Sequence, residues 1–579
     1  MIGKRSPQRG FFDSDHLYGE FVGRNTFYGL LASQGDELFL DADFAELYCP
    51  DNGRPSVAPS LLAMALVLQA HDDVSDEEAK ARADYDLRWK VALGVELDRR
   101  PFAKSALQLF RAQLVLKDKM RLVFQRGLAH ARRVGHFKTG KMRLALDTTY
   151  ILGRGAVKDT YNLLADGIGQ VIKASAEVER MTAEQWAEAH ALQRYLAASI
   201  KGEAAINWDD EAARQAFLQG IVADVDRVLA LSQAVLAALP ANDDRRVRVQ
   251  AAAQLLRQLI DQDVDRRQAA VSLKQEVARD RVVSVHDPAM RHGRKSHSKR
   301  FDGHKAAVAV DTDSQLITAV EVLPGNASDD THALELVEAS EQNTGLAVDE
   351  TLGDCAYGSG ATRQAFVEAG RTLIAPVASH RRPDQLSKEE FQLDLDQGTC
   401  TCPAQHVTRK VITLGYQSDR AGQRVPRHAF AFDPALCAAC PSRPQCVRAK
   451  GPGGRVVRLH PQERLLQEAR ALQNSEAFKP YRRARQAAEH RLARLVQLGI
   501  RQARYFGHPK TLFQLLLAAT VANLTLIASK AEGKKPQKQR GLFFCPVILA
   551  VKSHLWPHFG TFTNQLAARH LLVAENSGF

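Results

Sequence analysis

The chain has 579 residues, of which 45% are hydrophobic and 25% charged, with a formal net charge of +12. That length allows several cores, the apolar share excludes an intrinsically disordered chain, and the positive charge points to a polyanionic partner. The opening MIGKRSPQRGFF lacks the apolar run of a secretory signal, and eight cysteines in so long a chain argue for reduced thiols or bound metal over a disulfide framework, so a cytoplasmic location is expected.

Residues 1–135 read as an all-α region, a DNA-binding or dimerising module. Helices are expected over 59–69, where a proline opens the first turn, and over 76–93 and 104–128. The pattern changes in 136–174. The short apolar run KMRLALDTTYI delivers Asp147 at its centre, and a carboxylate inside a strand costs free energy unless it is paired or binds a cation. Residues 175–283 are rich in Ala, Leu, Gln and Arg, with amphipathic helices over 223–239 and 246–260, and read as a helical insertion.

Strand signals return in 284–378. The basic segment MRHGRKSHSKRFDGHK leads into a hairpin over 306–322, and its Arg294, Lys295, Lys299, Arg300 and Lys305 suit phosphate contacts. A helix over 333–342 follows. A short strand then runs into Asp354, placing this second carboxylate at a strand's C-terminal edge, where sites on open sheets form.

Residues 379–456 lose periodicity and hold five cysteines, as C-x-C and C-x2-C-x5-C. Thiolates so spaced can hold one tetrahedral Zn²⁺ in a zinc-ribbon-like staple, for which Cys402, Cys437, Cys440 and Cys446 are the chosen ligands. Residues 457–530 are helical. In 481–510 Glu489 stands alone among seven arginines and a lysine, sharing a helical face with Arg482 and Arg485. Such a stripe can hold a cation on the carboxylate and phosphates on Arg482, Arg485, Arg491, Arg494, Arg501 and Arg504. The apolar run 512–528 is interrupted by Gln514 and Asn523 and reads as a buried core helix, with no membrane partner expected. Residues 531–579 form a basic tail.

With the two insertions removed, the order β, β-β-α-β-α, α is that of a ribonuclease-H-like core: a mixed α/β fold preceded by helices. Asp147, Asp354 and Glu489 could there hold two Mg²⁺ or Mn²⁺ ions, hard cations that select oxygen ligands.

The runs LALDTTYILGRGAVKDTYNLL, KRFDGHKAAVAVDTDSQLITAVEVLPGNASDDTHALEL, LGDCAYGSGATRQAF and AEHRLARLVQLGIRQARYFG resemble bacterial insertion-sequence DDE transposases of insertion-sequence family 1182, within the wider group typified by insertion sequence 4. The resemblance implies Asp147, Asp354 and Glu489 as the D, D and E. It also implies metal-dependent cleavage and joining of double-stranded DNA at an element's terminal inverted repeats, by a homodimer. This chain departs from the group's pattern around the glutamate: Arg482 stands in the tyrosine position, with Tyr481 one place early, and Val496 stands in the lysine position. Asp159, Asp311 and Asp313 are rival carboxylates. The other function classes in view are a non-catalytic zinc-containing DNA-binding regulator and a ribonuclease-H-like nuclease without strand joining.

Overall fold

The apolar run around Asp147 becomes the middle of a mixed sheet. In the computed structural model, which describes residues 1–5, 12–138, 140–266, 271–296, 298–379, 384–418, 422–447 and 451–533, Met142–Leu152 is a strand whose Leu144, Ala145 and Leu146 are fully buried. Three consecutive buried apolar residues mark a strand covered on both faces. It pairs antiparallel with Arg300–Asp311 and parallel with Val348–Leu352, which in turn pairs parallel with Thr372–Ile374. Arg291–Arg294 and Ile317–Pro324 both pair with the far side of Arg300–Asp311, completing six strands. The chain divides into two units, Met1–Glu532 and Gly533–Phe579; beyond residue 533 the basic tail lies outside the described residues.

Helices cover this sheet. Ala333–Thr344 packs against Ile317–Pro324, and Phe478–Leu495 packs against Met142–Leu152 and Arg300–Asp311. The helix His508–Gly533 is long and apolar enough to cross a membrane, and 89% of its most apolar window is packed inside the protein. Its two polar interruptions explain that placement. Asn523 accepts from the Ile317 N–H and donates to the Ile317 carbonyl, both at 2.8 Å, so its amide stands in for a strand partner. Gln514 accepts from the Arg504 N–H and donates to the Gln502 carbonyl. Buried amides satisfied in this way carry no unpaired-polar penalty.

The sequence expectations differ from the structure in several places. The helix expected over 76–93 is two, Asp76–Tyr85 and Leu87–Leu93, because Asp86 adopts an extended backbone and its carboxylate caps the second helix at the Arg88 N–H. That expected over 104–128 is Lys104–Leu116 and Leu122–Arg133, broken where Asp118 takes φ +53°. The 379–456 region has regular structure. Gln392–Asp394, Thr399–Thr401 and Val407–Thr408 form one small sheet; Val411–Ser418, Arg424–Ala431 and Val456–Arg458 form another. Its core is small, built from Phe391, Cys400, Phe430, Phe432 and Val457. Four of these strands have only two or three residues, and Val411–Ser418 is largely exposed, so little apolar period is left to read. The helices between Met142–Leu152 and the basic hairpin include Thr160–Glu179, Glu211–Ala237 and Asp244–Asp263, which bury a separate apolar cluster around Trp186, Ile172 and Leu256.

Candidate acid centre and basic face

Strand register brings the two aspartates together. Ala145 is paired in parallel with Leu352, and each chain runs two residues further to its carboxylate, Asp147 on one strand and Asp354 just beyond the end of the next. Neighbouring strands lie ~4.8 Å apart, so the two acids lie side by side where Val348–Leu352 ends. Glu489 comes from Phe478–Leu495, packed on the same strand through buried Ala487, Ala488 and Leu492. Arg485 joins helix to strand: its guanidinium pairs with Glu489 and lies 3.6 Å from Asp147 Oδ2.

The electrostatics of Asp147 follow from this crowding. Burial pushes its carboxyl up to about 6; the Thr148 N–H and Arg485 oppose the rise, while Asp354 and Glu489 add to it. A carboxylate held by only one backbone donor among like charges favours an added cation. The three acids fit a divalent cation in charge and hard-oxygen chemistry, and the Arg485 guanidinium already bridges two of them as a positive stand-in. As placed, no three His, Cys, Asp or Glu side chains among the described residues surround one point as metal ligands.

The rival carboxylates have local roles. Asp159 caps the helix Thr160–Glu179 at the Tyr161 and Asn162 N–H groups, Asp311 closes its hairpin on Ser314, and Asp313 pairs with Lys138. Tyr481, one place early in the group's pattern, faces away from the acids: its hydroxyl donates to Glu350 at 3.0 Å and Arg143 lies over its ring.

The predicted basic residues divide into two sets. Arg294, Lys295, Lys299 and Arg300 are exposed on the hairpin between Arg291–Arg294 and Arg300–Asp311, where Arg294 stands directly opposite Arg300. Two like charges at facing strand positions destabilise the pair in the absence of an anion. Arg482 is exposed on its helix, and Arg494 contacts Gln497 there. Arg501 donates to Thr149 Oγ1 and to the Tyr150 carbonyl, and its guanidinium lies 3.8 Å from the centre of the Tyr150 ring. Lys295 and Lys299 reach the same ring, at 5.6 and 5.3 Å. The Lys299 hydrogen bond is the chief cause that lowers the Tyr150 hydroxyl from its ordinary value.

The second set makes contacts within the protein. Lys305 is paired with Asp329 at 2.7 Å and bonded to the Ala327 carbonyl. Arg504 is paired with Asp73 of the N-terminal helices. Arg491 leans on the apolar helix toward the Ala522 carbonyl, and burial lowers its guanidinium pKa. Arg485 belongs to the acid centre.

Sequence reasoning missed Tyr150 and Phe506. Tyr150 lies three residues beyond Asp147 on the same strand, and Arg154 lies over the partly exposed Phe506 at 5.7 Å. Three residues apart on a strand, Tyr150 and Asp147 point to opposite faces, so strand alternation gave no signal for it. The partners come from segments near 297 and 501, remote in sequence.

All five clustered cysteines are free thiols. Cys400 is fully buried, and that burial, with Cys402 nearby, raises its thiol to about 11. Cys446 is also raised, first by burial, with Arg455 opposing and Cys437, Cys402 and Cys440 adding. Cys437 Sγ accepts from the Arg455 N–H at 3.4 Å.

Two parts of the chain match family models. Residues 401–528, which include Glu489 but neither aspartate, match the model described as a transposase DDE domain. Residues 16–113 match one described as a transposase domain, DUF772. No curated protein and no solved structure matches the chain. A transposase DDE domain implies a ribonuclease-H-like core and a DNA-cleaving enzyme of the transposase kind, and such domains generally use divalent metal ions. Together the matches support an insertion-sequence transposase of the DDE kind, and transposases bind DNA.

Proposed function

We propose that the protein is a DDE transposase that cleaves DNA at the terminal inverted repeats of an insertion sequence and joins the freed ends to target DNA. The observation that supports this reading most is the register that extends Ala145–Leu352 to Asp147 and Asp354, with Glu489 tied to Asp147 through Arg485. Asp147, Asp354 and Glu489 would hold Mg²⁺ or Mn²⁺, a pair of which supplies an activated water or 3′-hydroxyl and stabilises the leaving oxygen. The remaining work belongs to the chain. Lys295, Lys299, Arg294 and Arg300 hold phosphates, Tyr150 offers a ring on which a base stacks, and Arg501 keeps that ring in place. Arg482 and Arg494 extend the basic face along the Glu489 helix.

The proposal includes residues 1–135 as the DNA-binding or dimerising region, residues 175–283 and 379–456 as insertions, a homodimer on DNA, and a cytoplasmic, nucleoid-associated location. It also includes one structural Zn²⁺ on Cys402, Cys437, Cys440 and Cys446, since a cation there would offset the mutual repulsion of their thiolates. Zinc released on denaturation, at about one per chain and lost in Cys437→Ser, checks that part.

The decisive test incubates the protein with labelled repeat-ended DNA, a target plasmid, and either Mg²⁺ or EDTA. Joined products with Mg²⁺ alone are expected. Specific binding without cleavage would favour a regulator, and cleavage without joining or end preference would favour a simple nuclease.

A further inference from the structure

Within the 379–456 region one sheet is only partly three-stranded. Val456–Arg458 pairs with Ala429, Phe430 and Ala431 alone, so among the described residues 413–418 and 424–428 form a ribbon with no third strand. At ~3.4 Å per residue the ribbon is roughly 17 Å long. Two residues between Thr413 and Tyr416 stand against Arg427 alone, and Gly415 there takes φ +118°. Such a bulge bends the ribbon and increases its twist.

Cross-strand partners share a face. Thr413, Tyr416 and Ser418 therefore lie on the same side as His428, Pro426 and Arg424, and all six are exposed. All but the proline end in a hydrogen-bonding group. The Arg424 guanidinium lies 4.7 Å from the centre of the Tyr416 ring, a contact that steadies a long side chain in the open.

The charge of this ribbon has one sign. Over residues 407–431 the sequence sets Arg409, Lys410, Arg420, Arg424 and Arg427 against one acid, Asp419. Among the described residues no acid pairs with Arg409, Lys410, Arg424 or Arg427. Charges on an exposed strand also guard it against edge-to-edge pairing, but either sign does that, and a mixed ribbon gains from cross-strand ion pairs. The neighbouring small sheet follows that rule, with Asp396, in the turn after Gln392–Asp394, paired with Arg464 at 2.5 Å. An exposed ribbon of unpaired cations is instead complementary to a polyanion. Duplex DNA fits its shape, because the major groove, ≈12 Å wide, admits a two-stranded β-ribbon. A single strand is bound through open aromatic faces, whereas the Tyr416 ring already has Arg424 over it.

We propose that this ribbon reads duplex DNA from the major groove, with Arg424 donating to base edges, guanine above all, and Arg409 and Lys410 holding flanking phosphates. The inference rests on the transposase reading for its choice of duplex, the element's terminal repeat.

The test uses the full-length chain in EDTA, so that no cleavage intervenes. Binding to repeat duplex, random duplex and single-stranded repeat is followed by fluorescence anisotropy. Methylation of guanine N7 by dimethyl sulfate reports major-groove contact, and melting temperature reports the fold. Arg424→Ala is expected to bind repeat duplex roughly tenfold more weakly and to lose protection of at least one guanine, with an unchanged melting temperature. Arg409→Ala combined with Lys410→Ala is expected to keep that protection and to make the slope of log affinity against log salt shallower by about 2. Wild-type affinity and footprint in both variants overturn the inference and leave the transposase reading standing. A loss confined to single-stranded DNA, or a lost protection accompanied by a lower melting temperature, also overturns it. Failure of the wild type to bind the repeat duplex overturns the transposase reading, and the inference with it.

Discussion

Asp72 and Asp147 are both largely buried carboxylates, and the protein treats them in opposite ways. Asp72, in the N-terminal helices, accepts from the Tyr28 hydroxyl, Trp89 Nε1 and Arg82 Nη1 at 2.7–2.8 Å, with His71 Nδ1 at 2.7 Å. Burial acts to raise its pKa, yet these four partners outweigh it and hold the group far below the ordinary carboxylate range. Asp147 has one backbone donor, a distant arginine and two acidic neighbours, and is raised to about 6. An acid that serves the fold is surrounded by donors. Asp147, the acid proposed to serve chemistry, is left short of them, and the proposal is that a cation fills the deficit.

The largest way to break the comparison is to neutralise each acid in turn. Asp147→Asn, Asp354→Asn and Glu489→Gln are each expected to reduce Mg²⁺-dependent end cleavage to background in a gel assay while retaining DNA binding. Asp72→Ala should instead leave the folded protein's Mn²⁺ affinity unchanged and destabilise it by about 3 kcal/mol, because removing one partner strands the buried others; denaturant melts measure this.

Much of the acid centre was legible in the sequence, because a carboxylate inside an apolar run or alone in a basic helix conflicts with its surroundings. Asp147 and Glu489 stand out for that reason, and the topology follows from the order of strands and helices. The local exceptions were not legible. Asp86 and Asp118 break helices through single backbone conformations, and Lys305, Arg491 and Arg504 resemble free cations until the fold supplies Asp329, Ala522 and Asp73.

Smaller effects sharpen the comparison. Asp147→Asn, though inactive, should be more stable than wild type by roughly 2–3 kcal/mol at neutral pH, since it removes a charge the site disfavours; a rise in melting temperature checks it. Removing Lys295 and Lys299 together should weaken DNA binding without affecting the fold. The slope of log affinity against log salt should become shallower by about 2, read by fluorescence anisotropy.

Acidification gives the smallest effect. Asp76, in the same bundle as Asp72, is lowered to about 2: burial opposes the shift, but Arg111, Gln69 and Gln108 prevail. Both groups bind protons less readily folded than unfolded, so their stabilisation is fully present above about pH 4 and is lost as pH falls through the folded values. Melting temperature should drop between roughly pH 4 and 2, and the drop should be shallower in Asp72→Asn.

The convergence of three segments distant in the chain is tested most directly by loading the proposed cation site with Fe²⁺ and letting ascorbate and peroxide cut the polypeptide around it. Cuts near residues 147, 354 and 489, all suppressed by excess Mg²⁺, are the predicted result. Cuts confined to one of these segments, or to none of them, would contradict the shared acid centre.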